Sequence, residues 1–84
     1  MILSWTNQAW EDYVYWQKKD KQKLKRINNL VKDILRSPFE GIGDPEPLKH
    51  NLSGAWSRRI DKGNRIVYVA TKNQIIIAQC RYHY

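Results

Sequence analysis

Only one cysteine, Cys80, stands among the 84 residues, so no internal disulfide can form and no thiolate metal site can be assembled. That scarcity fits a reducing compartment. No stretch approaches the ~20 apolar residues of a membrane span. The opening MILSWTNQAW also lacks the basic leader and long apolar run of a signal peptide, so a soluble cytoplasmic protein is expected. Linkers, repeats and low-complexity tracts are missing too. A chain this short has room for one core, and residues 1–84 read as a single domain. Acidic residues are outnumbered, eight Asp and Glu against 15 Lys and Arg, for a net charge of +7. On so small a body that excess attracts a polyanion or an acidic protein.

Bulky rings supply much of the apolar area: four tryptophans, five tyrosines and Phe39. MILSW reads as a short opening strand. Thr6 or Asn7 then caps a helix running to about Asp20, with Ala9, Trp10, Tyr13, Val14 and Trp16 in one arc and Glu11, Asp12, Lys18 and Lys19 opposite. Tyr15 falls among the charges, as a ring on the surface. A second helix, capped by Asp20, carries an apolar arc of Leu24, Ile27, Leu30, Val31, Ile34 and Leu35. Its far side holds a basic stripe of Lys21, Lys25, Lys32 and Arg36. Ser37-Pro38 stops it, and SPFEGIGDPEP is a loop by composition. The period then changes to two, with strands expected near 48–51, 56–60, 64–71 and 74–81, joined by turns too short for anything but antiparallel neighbours. An α+β domain follows, its two helices covering one face of the sheet.

Parity on the last strand puts Ile76, Ala78, Cys80 and Tyr82 toward the helices and Gln79, Arg81 and His83 on the open face. Arg58, Arg59 and Arg65 from the neighbouring strands, and Glu46, Lys49 and His50 from the DPEPLKH segment, are candidates for the same face. A carboxylate, an imidazole and several cations suit RNA cleavage. A base must take the proton from a ribose 2′-hydroxyl as it attacks phosphorus, cations must neutralise the phosphoryl oxygens, and an acid must protonate the departing 5′-oxygen. Glu46 and His83 can divide the proton transfers, Arg65 is the fork-shaped clamp and Lys49 a point charge. The nucleophile lies within the substrate, so no metal or other cofactor is required. Each of these residues also has an ordinary reading as a solvated or packing side chain.

The run PFEGIGDPEPLKHNLSGAWSRRIDKGNRIVYVA, followed by CRYHY, resembles the YoeB (Txe) toxins of bacterial toxin–antitoxin systems, within the RelE/ParE superfamily. The resemblance extends over essentially the whole chain, with Ala55 standing where a bulkier residue is expected. It implies a microbial-RNase-like fold, two N-terminal helices on a five-stranded, mostly antiparallel sheet. It implies cleavage of mRNA in the A site of the 30S ribosomal subunit. It makes Glu46 the general base, His83 the general acid, Arg65 the phosphate-stabilising arginine and Tyr84 the residue that positions substrate. It makes Lys49 and Arg59 supporting cations. Arg81, from its place on the open face, is a further phosphate-contact candidate, and His50, to which no family role carries over, and Arg58 are further supporting candidates. The implied partners are a YefM-like antitoxin with an acidic C-terminal segment and a second toxin copy, with operator DNA bound only through the toxin–antitoxin complex.

Two other readings compete. A ParE-like toxin shares the fold and inhibits DNA gyrase without hydrolysis. A non-catalytic basic module would hold RNA or DNA by charge and stacked rings.

Overall fold

The computed structural model describes residues 1–83. Both helices begin where the sequence supplies a cap. Thr6 Oγ1 accepts from the Ala9 amide at the start of α1 (Asn7–Lys19). Asp20 Oδ1 accepts from the Gln22 and Lys23 amides at the start of α2 (Lys21–Arg36). These side chains satisfy donors that the first helical turn leaves without partners.

Five strands follow the order β1-β5-β4-β3-β2. They are β1 (Ile2–Trp5), β2 (Glu46–Pro47), β3 (Trp56–Asp61), β4 (Asn64–Ala70) and β5 (Gln74–Gln79). β1 pairs with β5 in parallel and the remaining pairs are antiparallel. The helices pack on one face over Ile27, Leu30, Ile34, Ile66, Tyr68, Ile75 and Ile77, all fully buried.

Three expectations are corrected. Residues 48–51 form no strand: the edge pairing is confined to Glu46–Pro47, and a 3₁₀ turn follows at His50–Leu52. Pro47 lacks an N–H, which only an edge strand tolerates.

The arc assigned to α1 is also displaced. Trp10 is largely exposed, whereas Asp12 is buried, because it accepts hydrogen bonds from Gln8 and from the Cys80 amide. Tyr15 is half-buried and packs against the core.

Parity on β5 fails: of the residues assigned to the helix side only Cys80 is fully buried, and Tyr82 is largely exposed. The β4–β5 register shifts between Val67 and Tyr68, so that Val67 faces Gln79 and Tyr68 faces Ile77. Ala78 is therefore an extra residue on β5 that reverses the alternation. Ile75 and Ile77, not Ile76 and Ala78, enter the core, while Cys80 is buried as expected. Thr6 accommodates the irregularity, its amide donating to the Ile77 carbonyl and its hydroxyl to that of Ala78.

Candidate active site

Residues directly opposite each other in a ladder point to the same face. Glu46 faces Ser57, Ser57 faces Val67, and Arg59 faces Arg65. These five side chains therefore belong to the face away from the helices. Pro45 and Pro47 flank Glu46, and a residue before proline is kept extended. The acid is thus presented from a stiff edge and remains about half exposed.

Arg65 is the centre of the arrangement. Its Nε donates to Ser57 Oγ at 3.1 Å and its Nη2 lies 3.5 Å from Glu46 Oε1. It is 7% exposed, so its charge is poorly screened on the protein side and directed toward the surface where Glu46 lies. Arg59 is exposed beside it, 3.8 Å from Asp44. Lys49 and His50 are exposed in a cleft of about 450 Å³ bordered by residues 46–52.

Residues 80–82 are each held by the rest of the fold. The Cys80 amide donates to Asp12 Oδ2, and its carbonyl accepts from Trp16 Nε1 at 2.8 Å. Burial, reinforced by the Asp12 carboxylate, pushes the Cys80 thiol up to about 12, so it stays neutral. Arg81 lies 3.4 Å over the Tyr15 ring and 4.4 Å from that of Tyr82. Tyr82 adopts φ +65°. Its amide donates to Asn64 Oδ1 at 2.7 Å and its carbonyl accepts from the Arg65 amide at 3.0 Å. His83 is exposed and borders a second cleft with Gln8, Asp12, Gln79, Arg81 and Tyr82.

The structure thus gathers Glu46, Arg59 and Arg65 on one face, places Lys49 and His50 beside the acid, and anchors the residue before His83 to the Arg65 backbone. Two candidates lie elsewhere. Arg81 is occupied in the ring stack against α1 and is not on the open face. Arg58 points to the opposite side of β3 and is completely buried, which removes it from any surface that RNA can reach. Tyr84 lies outside the described residues. Ser57 and Asn64 went unnoticed in the sequence although they steady Arg65 and Tyr82. Ser57 shares parity with Arg59, the one signal that marks it.

A family model described as the YoeB-like toxin of bacterial type II toxin-antitoxin systems matches residues 5–84. The chain is 58% identical over 84 residues to Toxin YoeB of Escherichia coli (strain K12), covering all of both chains. Among solved structures, the YoeB dimer from Staphylococcus aureus is similar at TM-score 0.93 and 49% identity, and the YoeB-YefM complex from the same organism at 0.91 and 48%. Each covers 100% of this chain and 98% of the other.

Proposed function

The chain belongs to the YoeB family of toxins from bacterial type II toxin–antitoxin systems, and from that premise we propose that it is a metal-independent endoribonuclease cutting mRNA in the ribosomal A site and so inhibiting translation. The observation that carries the reading is the double attachment of Arg65. Its guanidinium reaches Glu46, while its amide holds the carbonyl of Tyr82, the residue before His83. One residue thereby links the loop that bears the acid to the segment that bears the imidazole.

In the proposed step, Glu46 removes the 2′-hydroxyl proton and the 2′-oxygen attacks the adjacent phosphorus. The P–O5′ bond breaks and His83 delivers a proton to the departing oxygen. Arg65 offers a fork to the non-bridging oxygens, supported by Arg59 and Lys49. Tyr84 positions the substrate. Alignment of the attacking hydroxyl by the ribosome-bound mRNA supplies the orientation that the transfer needs. Because the nucleophile belongs to the substrate, no metal-activated water is needed.

The partners follow from charge. A net +7 favours an acidic antitoxin segment, and the S. aureus relative is seen both with YefM and as a dimer. We assign this chain a YefM-like antitoxin, self-association, operator binding only within that complex, and a cytoplasmic site of action among ribosomes.

The test is cleavage of mRNA on stalled ribosomes by wild type and His83→Gln. Loss of the acid is expected to slow cutting about 10²- to 10⁴-fold. Equal growth arrest by both proteins with no cut mRNA would replace this reading with the gyrase-type one.

A further inference from the structure

The segment between α2 and β2, residues 37–45, has no regular secondary structure, yet it delivers Glu46 to the sheet edge. Its backbone is fastened from beneath by a buried polar cluster. The Arg58 guanidinium has five N–H groups, and each finds a partner. Nε donates to Tyr68 OH at 3.1 Å, Nη1 to Asp33 Oδ2 and the Ile42 carbonyl, and Nη2 to the Ser37 and Glu40 carbonyls. The Tyr68 hydroxyl donates in turn to the Pro38 carbonyl at 2.6 Å. Asp33 Oδ2 accepts from the Ile42 amide at 2.9 Å.

Five backbone groups of one loop, at residues 37, 38, 40 and 42, therefore end on three side chains from α2, β3 and β4. Gly41 makes the close approach feasible. It sits at φ +131°, where a Cβ would stand 2.0 Å from Asp33 Oδ2.

From Gly43 onward the same segment changes attachment and joins β3. The Arg59 amide donates to the Gly43 carbonyl at 2.7 Å, Glu46 faces Ser57, and the Leu48 amide donates to the Ala55 carbonyl. Glu46 is thus suspended between a core pin and an edge ladder, both centred on residues 55–59. We propose that Arg58, with Tyr68 and Asp33, is a positioning device for Glu46. It sets where the general base meets the 2′-hydroxyl, without touching RNA. The inference rests on the assignment of Glu46 above.

Tyr68→Phe tests it most cleanly, since the ring stays in the core while the bonds to Pro38 and Arg58 are lost. On programmed ribosomes, with the proteins shown folded by thermal melting, Tyr68→Phe should lower kcat about 10- to 100-fold at unchanged KM, the scale for a small misplacement of a reacting group. In a Glu46→Gln background the same change should alter the residual rate less than twofold, because groups acting through one another are non-additive. Gly41→Ala, which displaces the loop without removing any member of the cluster, should reproduce both results.

A full effect of Tyr68→Phe in the Glu46→Gln background would overturn the positioning role, as would unchanged kcat for folded Tyr68→Phe. Full activity of Glu46→Gln itself would instead overturn the assignment of the base, and the positioning role with it.

Discussion

Arg58 and Arg65 stand on adjacent antiparallel strands and point to opposite faces of one sheet. Under the helices, Arg58 is sealed from solvent and every N–H is committed to the protein. On the other face, Arg65 is nearly as buried but its counter-charge, Glu46, is about half exposed. A guanidinium enclosed by fixed acceptors organises backbone. One that shares its field with an exposed carboxylate is, under the proposed function, the charge that meets phosphate. The two sites differ in what surrounds the arginine, not in the arginine.

Alanine substitutions should break this contrast in opposite ways. Arg58→Ala takes one of its cations from Asp33 and leaves the Ser37, Glu40 and Ile42 carbonyls without their buried donor, and loss of one member of a buried pair costs about 3–5 kcal/mol. A domain of this kind has roughly 5–15 kcal/mol in total, so the urea midpoint should collapse. Arg65→Ala should cost about 1 kcal/mol or less in stability, as for partly exposed pairs. It should nevertheless slow mRNA cutting roughly 10²- to 10³-fold, the scale for removing one preorganised charge-stabilising group. Equal stability losses in the two variants would erase the distinction.

Acid sharpens the contrast with a smaller effect. The hydrogen bond from Arg36, then that from the Ile42 amide, outweigh the opposing effect of burial and, with Arg58, hold the Asp33 carboxyl at about 2. A carboxyl lowered in the folded state contributes stability that is present above its unfolded value, about 4, and disappears as pH falls toward about 2. Denaturant midpoints should therefore drop across that window in wild type and less steeply in Asp33→Asn. Asp61 adds to the same trend: burial raises it, but Lys23, Asn64 and the Gly63 amide together bring it below the ordinary range. Identical slopes for wild type and Asp33→Asn would show that the carboxyl is not linked to folding.

The helices were legible because caps and period coincide: Thr6 and Asp20 accept amides where the apolar repeats begin. The strands were legible as a set, since two-residue periods and short turns leave few topologies. Parity failed at Ala78 because one inserted residue reverses a two-residue repeat, and no composition marks it. Asp12 and Arg58 were misplaced for a shared reason. A charged side chain reads as solvated until the groups that compensate it are visible, here Gln8 and Cys80 for one and a loop's carbonyls for the other. Glu46 and Arg65, on an edge and a ladder, obey simple alternation, so their common face of the sheet was legible.

The ends left on the RNA probe the catalytic claim most directly. Programmed ribosomes treated with this protein should yield fragments ending in a 2′,3′-cyclic phosphate or 3′-phosphate, followed by fragments beginning with a 5′-hydroxyl. Fragments beginning with a 5′-phosphate would mean that water was the nucleophile, and the roles given to Glu46 and His83 would be wrong.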